Sequence, residues 1–411
     1  MNFSAAARIA PLSPLPGNTG QTVAIHQSHV GLLPMQTLLD TAHCRLTLYR
    51  YPRQSQDPLQ AWDAADEYLI SHLAESQQAP DGPVIIMNDG FGALAGYLHA
   101  HAPVCVTDSH ISERATLANL AENGLDPHAI TLQDALAPLP DAPALVVIKV
   151  SKYQALLEQQ LLALRGVVTP ATRIIAAGKA KDIHTSTLKL FEKYLGETRT
   201  SLAWKKARLI HCTPAAERPS LTSPFPTVWP LEGTDMLIHN HANVFSRTSL
   251  DIGARFMLDN LPIHSARRVI DLGCGNGVLG LSLLARDSEV EVTFIDESRM
   301  AVASARLNVE HNLPDALPRA HFMVNNCLDD VPVGAADRIL CNPPFHQLQA
   351  ITDHIAWQMF SDAHRVLPQG GELWIVGNRH LDYHNKLKRL FGNAQVVASN
   401  SKFVILKAIK R

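Results

Sequence analysis

Two halves of this chain carry the same ordered set of features: a strand, a glycine turn, an acid at the next strand end, and a helix-borne asparagine pair. Ile86-Met-Asn-Asp-Gly-Phe-Gly-Ala-Leu94 corresponds to Ile270-Asp-Leu-Gly-Cys-Gly-Asn-Gly277, and Asp108 closes the following strand as Asp296 does later. Eleven and twelve residues beyond those acids stand Asn119-x-x-x-Asn123 and Asn308-x-x-x-Asn312. A shared spacing of this kind points to duplication of one unit rather than to coincidence between two α/β segments. Within each unit buried strands alternate with helical patterns, which calls for a mostly parallel sheet covered by helices.

At 411 residues the chain exceeds what one hydrophobic core usually supports. The break falls at Thr213-Pro-Ala-Ala-Glu-Arg-Pro-Ser-Leu-Thr-Ser-Pro-Phe-Pro226, whose four prolines each fix φ and remove a donor. The expected organisation is therefore an N-terminal unit at 35–212, a proline-rich linker at 213–230 and a C-terminal unit at 231–411. Residues 1–34, rich in Ala, Pro, Gly and Ser, are expected to be a disordered extension; Met1 and Met35 both remain possible starts. Strands are predicted at Cys44–Tyr51, Pro83–Met87, Pro103–Asp108 and Ala144–Val150. The second half adds Arg268–Asp271, Glu291–Asp296, His321–Asn325, Asp337–Cys341, Glu372–Gly377, Gln395–Ala398 and Lys402–Lys407. The last two are joined by the tight turn Ser399-Asn-Ser401, which makes an antiparallel edge hairpin.

No apolar run reaches the ~20 residues a membrane span needs, and the N-terminus lacks the basic start of a signal peptide. Six scattered cysteines without C-x-x-C spacing fit a reducing cytoplasm, and twenty histidines without a ligand-spaced cluster give no metal site. A formal charge of -2 excludes a histone-like protein but not a local basic face. The reading is a cytoplasmic protein, without membrane or metal, and a monomer.

Chemistry concentrates in the second half. Asp271-Leu-Gly273-Cys-Gly275-Asn-Gly277 ends a strand and opens a helix, where glycines permit positive φ and amides point outward. Asp296 is placed to accept two ribose hydroxyls. A competing reading exists: Gly275-x-Gly277-x-x-Gly280 matches the dinucleotide fingerprint, with an acid at the expected distance. Asp271 argues against it, since a carboxylate before the first glycine repels a pyrophosphate and suits the cationic methionine end of S-adenosylmethionine.

Asn342-Pro343-Pro344-Phe345 follows the fourth strand, where the first half has only Lys149-Val-Ser-Lys152. It is similar to the Asn-Pro-Pro-aromatic motif of amino methyltransferases. An amine conjugated to a base ring is a weak nucleophile. Asn342 and the Pro343 carbonyl can accept its two hydrogens and aim the lone pair, Pro344 rigidifies the turn, and Phe345 can stack on the base. A plain Pro-Pro turn is the bland alternative.

The resemblance extends to Ile238-His-Asn-His-Ala-Asn-Val-Phe245-Ser-Arg247-Thr-Ser-Leu-Asp251-Ile-Gly253, which is similar to the segment before the cofactor domain in the two-domain guanine-N2 methyltransferases of bacterial ribosomal RNA. Gln60–Leu69, Leu190–Leu195, Leu202–Arg208 and Asn325-Asn-Cys327 bring it nearest to the 23S branch of that family. The resemblance covers about Met35 to Arg411. It implies two tandem Rossmann-like class I methyltransferase domains in an α/β fold, each with a seven-stranded sheet ending in an antiparallel hairpin, the first one degenerate. It implies S-adenosyl-L-methionine as cofactor and the N2 amine of a 23S rRNA guanine as target. It further implies that Asp271, Gly273, Gly275 and Gly277 hold the methionine and ribose end, Asp296 the ribose, and Asn326 the adenine amine. Phe245 and Asp251 line the cleft on this reading, against a core phenylalanine and a helix cap. A 16S target, a glutamine or adenine amine, and a non-catalytic RNA-binding assembly protein are the alternatives. Lys179, Lys181, Lys205, Lys206 and Arg208, beside Trp204, are candidate phosphate contacts, or a solvated charged surface.

Overall fold

The computed structural model describes residues 36–411, apart from 55, 56, 58, 77, 265, 345–348 and the side chains at 349–353. The extension at 1–34 and Phe345 lie outside the described residues.

The first half begins with β1 (Leu38–Asp40) and β2 (Arg45–Thr47), an antiparallel pair, and α1 (Ala64–Glu75). There follow β3 (Val84–Met87), α2 (Ala93–Tyr97), β4 (Val104–Thr107), α3 (His110–Glu122), β5 (Thr131–Asp134) and β6 (Leu145–Lys149). It closes with α4 (Gln154–Val167), β7 (Arg173–Lys179), α5 (Thr185–Tyr194), β8 (Gly196–Thr200) and β9 (Ala207–Pro214). The second half repeats the plan. It has the pair β10 (Thr227–Pro230) and β11 (Leu237–Asn240), α6 (Ile252–Asp259), β12 (Arg268–Leu272), α7 (Val278–Arg286), β13 (Glu291–Asp296) and α8 (Arg299–Asn312). Then come β14 (Ala320–Val324), β15 (Arg338–Cys341), α9 (Gln349–Val366), β16 (Glu372–Asn378), α10 (Tyr383–Phe391), β17 (Gln395–Ser399) and β18 (Phe403–Ile409). Among the described residues no helix is long and apolar enough to cross a membrane.

The two seven-stranded sheets have the orders β5-β4-β3-β6-β7-β9-β8 and β14-β13-β12-β15-β16-β18-β17. In both, five strands are parallel and the last two form an antiparallel hairpin, which in the second sheet is the one predicted from the short turn. Period-two alternation divides each sheet between two cores. Val84 and Ile86 face one cluster while Ile85 and Met87 face another. Val269 and Ile270 divide in the same way across β12. Both faces are therefore covered, as a parallel sheet requires.

The asparagine pairs act as struts. Asn308 Oδ1 accepts the His239 N–H at 2.7 Å, and its Nδ2 donates to His239 O and Asn276 O; Asn312 grips Leu237 likewise. Asn119 and Asn123 make the matching bonds to Tyr49, Phe91 and Thr47. Each pair ties the strand preceding its unit to a helix of that unit.

One correspondence drawn from the sequence needs correcting. Gly92 at φ 84° and Gly277 at φ 75° are the left-handed residues that open α2 and α7, so Gly277 matches Gly92, not Leu94. Strand register extends this match: Met87 pairs with Val106 and Ile148 as Leu272 pairs with Ile295 and Cys341, and Asn119 meets Phe91 as Asn308 meets Asn276. Ile86 therefore stands at Asp271, Asn88 at Gly273, Gly90 at Gly275, and Thr107, not Asp108, at Asp296. The two turns are equal in length, and the first lacks both ligand acids.

Candidate active site

In an open parallel sheet, ligands bind beyond the carboxyl ends of the strands where the order reverses. Here that point lies between β12 and β15, and the two motifs singled out in the sequence emerge there side by side.

The glycine turn after β12 holds three alternate left-handed glycines, Gly273, Gly275 and Gly277, at φ 69°, 55° and 75°. At Gly277 a Cβ would stand 2.7 Å from Ala305 Cβ, so the residue also lets α7 pack on α8. Nothing lies within 4 Å of a Cβ placed on Gly275; that glycine is required by its backbone angle alone. Asp271 is buried, with Oδ2 accepting the Gly280 N–H at 3.0 Å. Burial pushes its carboxyl up to about 7. Asp296 joins the turn through Oδ2, which accepts the Gly275 N–H at 2.9 Å, and burial raises its carboxyl as well. Asn276 Nδ2 reaches Asn240 Oδ1 at 3.0 Å and fastens the turn to β11.

Buried Asp271 and half-buried Asp296, both with raised pKa values beside a turn whose amides at Gly273, Cys274, Gly275 and Gly277 are already bonded within the protein, form a setting for a positively charged ligand. A cation beside Asp271 would offset its desolvation, whereas a pyrophosphate would add a second anion. The residues present thus fit S-adenosylmethionine rather than a dinucleotide.

After β15, Asn342 makes one contact that orients it. Its Nδ2 donates to Asp251 Oδ2 at 3.2 Å, and the same oxygen caps α6 by accepting the Ala254 N–H at 2.8 Å. Facing a carboxylate, the amide must turn its NH2 toward Asp251. Asn342 Oδ1 is consequently aimed elsewhere, buried and without a hydrogen-bond partner among the described residues. Gly253 lies alongside: a Cβ there would come 2.9 Å from Asp251 Oδ2 and 3.5 Å from Asn342 Oδ1. Pro343 is buried and Pro344 half-buried.

Other expected site residues fall as follows. Asn326 lies in the turn two residues beyond the end of β14; it is buried, and its Nδ2 donates to Asp329 at 2.9 Å, which leaves the amide oxygen as its acceptor. Phe245 is 55% exposed. Lys179, Lys181 and Lys206 are exposed near the carboxyl edge of the first sheet, with Lys179 opposite Ala207. Lys205 pairs with Glu67 at 2.7 Å and lies over Trp204. Arg208 stands within β9 and is half-buried, its Nε without a partner. Lys205 and Lys206 form a two-residue turn with φ of 45° and 66° between the bonded pair Trp204 and Ala207. Left-handed conformation at a non-glycine residue costs roughly 1–2 kcal/mol.

The equivalent point of the first sheet is plugged. Lys149, at the end of β6, places Nζ 2.7 Å from both Asp63 and Asp66. Asp63 caps α1 as Asp251 caps α6, so an ammonium meets the capping acid where Asn342 does in the second half.

Sequence reasoning missed Asn240 as a fastener of the glycine turn, and it left Asp251 undecided between cleft and cap. Their partners are 36 and 91 residues away, beyond any local spacing.

Comparison with known proteins places these features. Residues 36–216 match the family model described as RLMG N-terminal domain, and residues 235–407 match Methyltransferase small domain. The ribosomal RNA large subunit methyltransferase G of Aeromonas hydrophila subsp. hydrophila is 90% identical over 380 residues, covering 92% of this chain and all of the relative. The protein of the same name from Klebsiella pneumoniae subsp. pneumoniae is 60% identical over 366 residues, 89% of this chain and 96% of that one. Among solved structures, the T. thermophilus 16S rRNA N2 methyltransferase RsmC, in complex with AdoMet and guanosine, superposes with a TM-score of 0.69. It is 22% identical, with 91% of this chain and 98% of that one covered, a likeness of fold.

Proposed function

The chain belongs to the ribosomal RNA large subunit methyltransferase G family, and from that membership we propose that it methylates the N2 amine of one guanine in 23S rRNA. The reading rests most on Asn342 Oδ1, a buried acceptor left unpartnered among the described residues, beside a cleft suited to a cation. A buried orphan acceptor costs roughly 1–3 kcal/mol, so its retention points to a ligand that supplies the donor. S-adenosylmethionine, when bound, supplies an electrophilic methyl group. Asp271, Gly273, Gly275 and Gly277 hold its methionine and ribose end, Asp296 the ribose and Asn326 the adenine, with Phe245 at the margin of the cleft.

Asn342 Oδ1 and the Pro343 carbonyl accept the two hydrogens of the guanine amine. That grip turns the nitrogen lone pair toward the methyl group, and positioning of this kind supplies most of the acceleration. Pro343 and Pro344 offer no N–H, so the turn presents acceptors only. Phe345 stacks on the base. The proton leaves after transfer, and no strong base is needed.

RNA is held by the first half. Lys179, Lys181, Lys205 and Lys206 meet phosphates at the carboxyl edge of its sheet, with Arg208 behind them, and the exposed Leu202 and Trp204 accompany them on the hairpin tip. The strained lysine turn supports this role. The protein acts in the cytoplasm as a monomer, with its two halves joined where the segments after β4 and β13 meet.

The decisive test maps N2-methylguanine in rRNA from cells lacking the gene and restores it with purified protein. One 23S guanine should lose and regain its methyl group. A change confined to 16S rRNA, or none, overturns the reading. Reversing charge at Lys179, Lys181 and Lys206 should weaken RNA binding and flatten its salt dependence without altering cofactor affinity.

A further inference from the structure

The acid-bearing ends of β4 and β13 meet. Residues 108–110 run antiparallel to 297–299: His110 N–H donates to Glu297 O at 3.0 Å and Arg299 N–H to Asp108 O at 2.9 Å, around a Ser109–Ser298 bridge. Ser109 and Ser298 are equivalent residues, each the cap of the helix after its strand. Equivalent positions paired with each other are the signature of a two-fold contact. Side chains then lock it. Ser109 Oγ donates to Glu297 at 2.7 Å, and Ser298 Oγ and Asn243 Nδ2 donate to Asp108 at 2.6 and 2.7 Å. Asp108 also accepts the Met300 N–H at 2.7 Å, and Arg299 forms a two-pronged ion pair with Glu113 at 2.8 and 2.7 Å.

The segment so gripped begins at Asp296. One oxygen of that carboxylate accepts the Gly275 N–H and the other the Ser298 N–H. Residues 296–298 thus sit between the glycine turn on one side and the first half on the other. Thr107 is the first half's counterpart of Asp296, its hydroxyl accepting the Ser109 N–H as Asp296 accepts the Ser298 N–H. Asp108, which stands at the position of Glu297, is buried with its carboxylate filled by donors from the second half. The first half has no ligand acid there, and its next residue braces the second half's site.

We propose that the first half is a working part of the cofactor site: Ser109, Asp108 and Glu113 are positioning residues that hold Asp296–Ser298 in the geometry that binds the cofactor ribose. This rests on the reading of Asp296 as the ribose acid. The inference explains why a half with Ile86 and Thr107 at the positions of Asp271 and Asp296 keeps a folded sheet, independently of any RNA contact.

The test uses the full-length chain without RNA, with titration calorimetry against S-adenosylmethionine, beside steady-state turnover and thermal unfolding. Ser109→Ala and Glu113→Gln should each raise the cofactor Kd by about five- to tenfold, in the range of ordinary coupling between sites, and leave kcat at saturating cofactor and the KM for rRNA unchanged. Ser109→Thr keeps the hydroxyl and should restore affinity, as should Glu113→Arg combined with Arg299→Glu relative to either alone. A structural role alone would lower the melting temperature with Kd unmoved, and that result overturns the proposal. Asp296→Asn separates the two readings. If it leaves Kd unchanged, the assignment of the cleft fails and this inference with it. If it weakens binding while the Ser109 and Glu113 variants do not, the inference alone falls.

Discussion

Replacing Asn342 with alanine separates what the side chain does for stability from what it does for chemistry. In the free protein Nδ2 donates to Asp251 at 3.2 Å, while Oδ1 is buried with no partner among the described residues. A hydrogen bond to a charged group contributes ~1.5–3 kcal/mol and a buried unsatisfied acceptor costs ~1–3 kcal/mol. Truncation removes both, so they largely cancel. Asp251 keeps the Ala254 N–H at 2.8 Å and is not stranded. The folding free energy of Asn342→Ala should therefore stay within about 1.5 kcal/mol of the parent. Catalysis has no such compensation, because loss of one preorganised polar group at a reacting centre costs ~2.7–4 kcal/mol, a drop of about 10²–10³ in rate. Asn342→Asp sharpens the contrast. It puts an oxygen where the NH2 stands, and two ionised carboxylates 3.2 Å apart repel by about 5 kcal/mol at an effective dielectric near 20. One takes up a proton instead, so that variant should be destabilised above neutral pH and recover on acidification. Single-turnover transfer of a labelled methyl group to rRNA measures the first effect and urea unfolding the second. An alanine variant that keeps its rate within tenfold, or one that loses more than about 3 kcal/mol of stability, would show Asn342 to be a structural residue.

Three further outcomes follow from the same geometry. Asp251→Ala should lower kcat with cofactor affinity intact and cost ~1–2 kcal/mol through the lost cap, whereas Asp251→Asn keeps an oxygen for both donors and should retain most activity; equal losses in the two would remove the orienting role. Cofactor binding should be pH-dependent: burial raises the Asp271 carboxyl to about 7, above its unfolded value, so this group disfavours the folded free protein above that pH, and the penalty disappears on acidification toward 4. A cationic ligand needs it ionised, so affinity measured by calorimetry should fall up to about tenfold per pH unit below 7, and a flat profile from pH 5.5 to 8.5 contradicts the pairing. Lys149→Met strands two carboxylates that each lie 2.7 Å from Nζ and should cost ~3–5 kcal/mol, with turnover per folded molecule unchanged; loss of turnover in fully folded protein would mean that the first half's plug takes part in the chemistry.

The elements that could be read from the sequence are those whose physics is local. Alternation in Val84–Met87 and Arg268–Leu272 gives buried strands, and Ser399-Asn-Ser401 gives the edge hairpin, because side-chain period and turn closure act over a few residues. The glycine turn was legible because three left-handed positions within five residues strongly favour glycine. Matching the two turns failed because the segments set side by side were nine and eight residues long, which put Leu94 against Gly277. The turns themselves are equal in length, with Asn88 in the left-handed place of Gly273 and Gly92 in that of Gly277. The asparagine pairs were visible as a repeat, but not as struts, since their partners lie 69–76 residues upstream. Asp251 could be read only as cap or cleft residue; it is a cap whose same oxygen also orients Asn342, a contact that no periodicity encodes.

The repeat also explains why the halves diverged as they did. The two halves share their capping acids, Asp63 and Asp251, but not the others: Asp271 and Asp296 correspond to Ile86 and Thr107, while Asp89 and Asp108 stand at the positions of Cys274 and Glu297. A buried carboxylate must be paired, protonated or given donors. In the second half a cationic ligand can meet that demand at Asp271. In the first half, where the two ligand acids are replaced, other groups meet it: Lys149 for Asp63, helix amides for Asp89, and donors from the second half for Asp108. Asp108 takes those donors from Asn243, the cap Ser298 and the first turn of α8, and so ties the two halves together at the edge of the remaining site.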